Sequence, residues 1–278
     1  MPPRARELQA RLFPQGYVDL ARQILLFAAA YYAYRYTRGW VNGPESAATA
    51  FENARNLIGV ERALNVFVEP GLQTLLAGER WIFDAASWVY INAQTTVTLG
   101  CLVWIYLLRN KSFYFVRNMF LTAFFLALVG YVLYPTAPPR FFPEWGFHDT
   151  VEEFTGIPQD SVTIDNLFNP YAAVPSMHVG FSLMIGWPLA RLCKRRPVKV
   201  FWAIYPLIVT FVIVVTANHF LADAFLGALT AGAGALVAVG LSKLRPVWRF
   251  DGHPETDLAP VLEEELEHVA ESRASTPA

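Results

Sequence analysis

The chain has 278 residues, of which 54% are hydrophobic, 15% aromatic and 16% charged, and its mean hydropathy is +0.31. A soluble domain of ordinary composition carries roughly 25% charged residues, so there is too little polar material here to cover a water-exposed surface; lipid is the solvent that fits. The net charge of −1 is silent on nucleic acid, no basic stripe with interleaved aromatics argues for it, and no nucleic-acid partner is expected.

The first 16 residues carry basic side chains but no short apolar core with a small-residue cleavage site, so no removable signal peptide is expected and 1–16 reads as a cytoplasmic N-terminus. A bilayer-spanning helix needs ~20 mostly apolar residues. Six stretches qualify: 17–34, 81–108, 113–134, 172–193, 199–217 and 219–242. The first is the weakest, interrupted by Arg22 and Gln23. Residues 42–80 are neither apolar enough to span nor polar enough to be a linker. Ala47, Ala48, Phe51, Ala54 and Ile58 recur there at three- and four-residue spacing, opposite Glu52, Asn53, Arg55 and Asn56. That pattern predicts an amphipathic helix at the membrane interface, better explained as a collar packed on the bundle than as a lipid sensor.

The second span holds Asp84, Asn92, Gln94, Thr95 and Thr96 in its first half, and polar groups at membrane depth face a bundle interior or a watery cavity. Tyr90, Asn92 and Gln94 fit the lining of a substrate cavity and equally fit helix–helix hydrogen bonding, so they are not taken as site residues. Cys101 and Cys193 fall in apolar runs and offer neither metal-ligand spacing nor a disulfide framework. Pro188 and Pro206 predict kinks in the fourth and fifth spans, and Gly227, Gly232, Gly234 and Gly240 predict close packing of the sixth.

Basic residues set the orientation. Arg109, Lys111 and Arg117 flank one turn; Arg191, Lys194, Arg195, Arg196 and Lys199 flank another; Lys243, Arg245 and Arg249 follow the last span. The loop 135–170 has only Arg140 against Glu144, Asp149, Glu152, Glu153, Asp160 and Asp165. Both termini are therefore expected in the cytoplasm and the 135–170 loop outside the cell membrane, with Arg35 and Arg38 as mild dissenters. The expectation is an all-α, polytopic membrane protein: a six-transmembrane-helix bundle with an interfacial amphipathic segment. Residues 17–80 hold the first span and that segment, 81–245 the catalytic core, and 246–278 an acidic, disordered tail around Glu263, Glu264, Glu265 and Glu267.

Of five histidines, His253 and His268 lie in the tail and His148 in the outer loop, where solvation explains them. His178 and His219 differ, because each begins an apolar helix on the outer side. His219 is followed at i+4 by Asp223, on the same helix face, where a carboxylate can fix one ring nitrogen and leave the other as nucleophile or base. An intramembrane pair that ties helices together accounts for this spacing as well as catalysis does. The stretch Pro175-Ser176-Met177-His178 adds a serine at a helix start, where first-turn N–H groups make an anion site. Arg140, after two prolines, is suited to a phosphate. An arginine, a helix N-terminus and two histidines describe phosphoryl transfer without a metal; no cofactor is expected and no carboxylate cluster for a metal is evident.

Spelled YPTAPPR, NPYAAVPSMHVG and NHFLAD, these stretches resemble the three motifs of the type 2 phosphatidic acid phosphatase superfamily of membrane lipid phosphatases and phosphotransferases, over roughly residues 80–245. Within it they look most like the inositol-phosphotransferase branch, the inositol phosphorylceramide synthases among them. The family pattern has Arg-Pro where Arg140 is followed by Phe141, a lysine at Leu133, PSGH at Pro175-Ser176-Met177-His178, and Ser-Arg at Val212 and Ile213. The resemblance implies that His219 attacks phosphorus and becomes phosphohistidine, that Asp223 orients it, and that His178 protonates the leaving alkoxide and then activates water or an acceptor alcohol. It also implies that Arg140, Ser176 and the local backbone N–H groups hold the phosphoryl oxygens; Thr216 and Asn218, beside His219, are placed to supply neutral donors where the family's other cations are missing. The expected partners are a lipid phosphate or phospholipid head group, a lipid alcohol acceptor, and the bilayer. With two cationic positions replaced by apolar residues, a singly charged phosphodiester suits the site better than a monoester. The rival class is a transporter that uses the His–Asp pair to bind an ion or proton.

Overall fold

In a computed structural model, the structure describes residues 13–41, 44–157 and 170–253. Residues 1–12 and 254–278, with His268 and the acidic run at Glu263, lie outside the described residues, as do 158–169, with Asp160 and Asp165.

The described chain is helical: α1 Tyr17–Val41, α2 Pro44–Ala63, α3 Glu69–Leu76, α4 Arg80–Leu108, α5 Asn110–Leu133, α6 Thr150–Thr155, α7 Met177–Leu192, α8 Arg196–Val215 and α9 Leu221–Leu244. Short 3₁₀ turns at Pro139–Phe141, Pro143–Trp145 and Pro246–Trp248 complete it. Among the described residues four helices are long and apolar enough to cross a membrane: α4, α5, α8 and α9. The sequence predicts six spans. Of the other two, α1 has its apolar run broken by Asp19, Arg22 and Gln23, and α7 has only 16 residues.

Apolar side chains cover the outside of these helices. Phe125, Leu133, Leu207, Phe225, Leu229 and Leu236 are all exposed, the surface expected where lipid rather than water surrounds the protein. Inside, α9 runs against α5 and α7, and α7 against α8. Small residues make these approaches possible. A Cβ on Gly234 would lie 2.6 Å from the Met119 carbonyl of α5, and one on Gly186 would lie 2.7 Å from the Trp202 carbonyl of α8. Gly227 and Gly234, seven apart, share the packed face, while Gly232 and Gly240 point into open space. The expectation of close packing thus holds for two of the four. α7 continues as helix through Pro188 and α8 through Pro206.

α1 is fastened to α4 and α5 by a polar cluster. Asp19 accepts from the hydroxyls of Tyr106 (3.3 Å) and Tyr114 (2.8 Å) and from Gln23 (2.8 Å), and Arg117 donates to Gln23 (3.0 Å) while stacking on Trp248. Polar groups in an apolar bundle stabilise it only when partnered in this way. Phe250, beyond the last helix, packs on Trp187 and Phe115.

The amphipathic segment is two helices. In α2 the buried stripe is Ala50, Ala54, Leu57, Ile58 and Glu61, at the 3.6-residue period, whereas Ala48 is exposed. The stripe is therefore rotated from the expected one, toward the chain that follows α5: the Ala137 amide donates to Ala50 O (3.1 Å) and Asn53 Nδ2 to Pro135 O (2.8 Å). α2 and α3 form a collar over the end of the bundle where α5 finishes and α7 and α9 begin.

Candidate active site

The end under the collar gathers the three stretches singled out in the sequence. Between α8 and α9 the chain turns through Thr216–Phe220, with Ala217 in the left-handed region (φ 53°) and the amides of Asn218 and His219 both donating to Ile213 O (3.1 and 3.2 Å). This tight turn presents the His219 ring at the start of α9. His219 is 5% exposed and Asp223 fully buried. Nδ1 of His219 lies 3.2 Å from Asp223 Oδ2, which also accepts from the Phe220 amide (3.0 Å). The predicted i, i+4 pair thus forms, and Nε2 stays outside it.

His178, in the first turn of α7, is half-buried and its ring centroid is 5.4 Å from that of His219. On its other side it stacks on Tyr90 of α4, with centroids 4.5 Å apart and planes 18° from parallel. The stack fixes the tilt of the imidazole. Tyr90, Gln94 and Thr98 of α4, with Ser182 and Tyr205, line a cavity that reaches His178; Asn92 instead donates to Trp88 O within its own helix (2.8 Å). Of the two roles that fit Tyr90 in the sequence, cavity lining and helix–helix hydrogen bonding, the structure shows the first.

Ser176 is the N-cap residue of α7, yet its hydroxyl makes no capping bond. Its Oγ is buried without a hydrogen-bond partner in the protein. An orphaned buried hydroxyl costs stability unless a ligand or water meets it. The Ser176 amide donates to Asp223 O (3.0 Å), joining the start of α7 to the first turn of α9.

Arg140 is held from several sides. Its amide donates to Ala217 O (2.8 Å), its guanidinium rests on the Phe141 ring (4.9 Å), and Nη1 donates to Asn218 Oδ1. Nε lies 3.5 Å from Asp149 Oδ2, the carboxylate that also caps α6. Asn218 and Thr216 were expected as neutral donors to the ligand. In the structure the Asn218 amide group donates to Thr216 O (3.0 Å), and the Thr216 hydroxyl donates to Val212 O (2.8 Å). Asn218 therefore braces Arg140, and Thr216 seals the end of α8. His148 is exposed, as expected, and only its backbone joins the collar, through Gln73.

Two further residues reach this end without any local signal. Glu61 Oε1 accepts from the Ala222 amide (2.7 Å) and Glu69 Oε1 from the Leu221 amide (2.8 Å). The Leu221 and Ala222 amides in the first turn of α9 are thus taken by the collar, whereas α7 has no side-chain cap at Ser176.

A family model described as the PAP2 superfamily matches residues 55–237, about two thirds of the chain. The chain belongs to the PAP2 superfamily. No curated protein and no solved structure matches it. PAP2 superfamily members are generally phosphatases or phosphotransferases, so this is an enzyme of that general kind, working in a membrane on a phosphorylated lipid-like substrate. The PAP2 match opens inside α2 rather than near residue 80, and so takes in Glu61 and Glu69 as well as the three motif stretches.

Proposed function

We propose that this PAP2 superfamily member transfers or hydrolyses a lipid-linked phosphate through a phosphohistidine. The observation that carries the reading is the pairing of His219 Nδ1 with Asp223 (3.2 Å) while the His178 ring stands 5.4 Å away. Asp223 holds the proton on Nδ1, so the Nε2 lone pair attacks phosphorus. As the N–P bond forms, the P–O bond to the leaving group breaks and His178 protonates the departing alkoxide. His178 then takes a proton from water or an acceptor alcohol, whose oxygen attacks phosphorus and releases His219. Arg140, the Ser176 hydroxyl and the α7 amides hold the non-bridging oxygens, over which the transition state spreads charge.

The substrate we favour is a phosphodiester, as in the inositol-phosphotransferase branch. Leu133, Val212 and Ile213 supply no charge, and Asp149 at 3.5 Å offsets part of that of Arg140. A site with so little net positive charge suits one negative charge better than two. Six spans, with α1 and α7 added to the four, cytoplasmic termini and an outward-facing site complete the reading; the polar cluster that fastens α1 into the bundle and the basic residues at the opposite helix ends support it.

The test is turnover of phosphatidic acid and phosphatidylinositol, with and without a lipid alcohol, by purified protein and its His219→Ala and His178→Ala variants. Both variants are expected to lose turnover. Wild-type rates in both would sink the enzymatic assignment of these residues and return the His–Asp pair to ion or proton binding. Fast orthophosphate release from phosphatidic acid alone would overturn the diester reading.

A further inference from the structure

Glu61 and Glu69 come from different helices of the collar, are 1% and 0% exposed, and land on neighbouring amides of α9. Each uses Oε1 for that bond, and each Oε2 is buried without a protein partner. Asp223, also fully buried, stands on the same turn with His219 behind it. These are the titratable groups facing the pair. Arg62, next in sequence to Glu61, turns away to stack on Phe67 and Trp145. Among the described residues neither glutamate has an ion-pair partner, and the three carboxyls do not form a group able to hold a metal ion.

Three buried carboxylates without a cation are not a stable arrangement. A helix N-terminus offers only about half a positive charge, and a buried unpaired carboxylate takes up a proton instead. We propose that Glu61 and Glu69 share one proton and, as a carboxyl–carboxylate pair seated on the first turn of α9, act as positioning residues for His219 and Asp223. The shared proton gives one orphaned Oε2 a donor. The remaining charge complements the helix N-terminus, and both Oε1 atoms fix the turn from which Asp223 reaches its histidine. That last role rests on the functional reading above; the shared proton does not.

Burial, and then the nearby charge of Glu69, push the Glu61 carboxyl from 4.5 up to about 8. An acid whose pKa rises on folding stabilises the fold fully below its unfolded value and loses that contribution as pH climbs through the folded value. The pair is therefore strongest below pH 4.5 and spent above about pH 8.

Two measurements decide it. Thermal unfolding in detergent should show the wild-type midpoint falling as pH rises from 4.5 past about 8, a fall absent in Glu61→Gln, which carries a neutral isostere of the protonated member. Infrared spectra of the wild-type protein should show a buried protonated-carboxyl stretch at neutral pH that vanishes above about pH 8 and that Asp223→Asn retains. Turnover should follow the same profile, with kcat rather than KM falling on the alkaline side in wild type and a flatter limb in Glu61→Gln. An unchanged alkaline fall in Glu61→Gln would overturn the pair. If that variant does not fold, the absence of the protonated-carboxyl band from the wild-type protein does so alone. Retained turnover in His219→Ala would remove the catalytic reading but leave both physical measurements to judge the proton.

Discussion

Ser176 and Gly227 meet backbone to backbone: a Cβ built on Gly227 would lie 2.1 Å from the Ser176 carbonyl oxygen. That carbonyl accepts the first helical bond of α7, from the Gly180 amide, while the Ser176 amide donates to Asp223. The contact therefore sets the distance between the helix that carries His178 and the one that follows His219.

Gly227→Ala should force α9 off α7. The neighbour it meets is backbone and cannot rotate away, so the overpacking cost is expected at about 1–3 kcal/mol. Turnover should fall with stability, because the displacement falls at the site. Gly232→Ala, facing open space in the same helix, is the control and should lower neither the unfolding midpoint nor the rate.

The two histidines should separate with an activated substrate. A nitrophenyl phosphate ester leaves without a proton, so His178→Ala should still release a burst of nitrophenol and accumulate acid-labile phosphoenzyme. With alkyl leaving groups the same variant should lose roughly 10²–10⁴-fold, the usual contribution of a general acid. His219→Ala should give neither burst nor phosphoenzyme. A burst from His219→Ala would assign the nucleophile elsewhere.

Asp149→Asn should shift the charge preference of the site. Removing a carboxylate 3.5 Å from Arg140 leaves the guanidinium less compensated, which favours a dianionic monoester over a monoanionic diester. The ratio of kcat/KM for the two should move toward the monoester by several-fold, on the order of 1 kcal/mol for a partly solvated charge pair. Parallel rates on phosphatidic acid and phosphatidylinositol measure it.

Tyr90 should matter through its ring and not its hydroxyl. Tyr90→Phe keeps the stack on His178, whereas Tyr90→Leu removes it, with a cost of about 0.5–1.5 kcal/mol expected for an aromatic pair. Tyr90→Leu should therefore lower kcat more than Tyr90→Phe for poor leaving groups, and the difference should shrink for nitrophenyl esters.

The parts of this fold that were readable in the sequence are those whose cause is local. The helix boundaries followed runs of apolar residues, and His219 with Asp223 followed from four-residue spacing on one face. Arg140 and Ser176 were marked by the prolines around them. What escaped was set by partners far along the chain. Glu61 and Glu69 meet amides 161 and 152 residues away, and nothing in an amphipathic helix says that a carboxylate on its rim turns inward. Asn218 was legible as a polar neighbour of His219 but not as the brace of Arg140, because that bond spans 78 residues. The count of spans was ambiguous for a different reason. Hydropathy averages the side of α1 that meets protein with the side that does not, and the Asp19 cluster lies on the former.

The length of α7 bears on where a lipid would be met. Sixteen residues rise about 24 Å, short of the ~30 Å hydrocarbon thickness of a bilayer. In the six-span arrangement proposed above, with α7 anchored at its basic end, the helix would stop several ångströms below the far headgroup plane, and Ser176 and His178 with it. A free, water-soluble phosphate would have to sink into that recess. The phosphate of a membrane lipid is tethered between its head group and its backbone, and sideways diffusion within the leaflet would bring it to the opening.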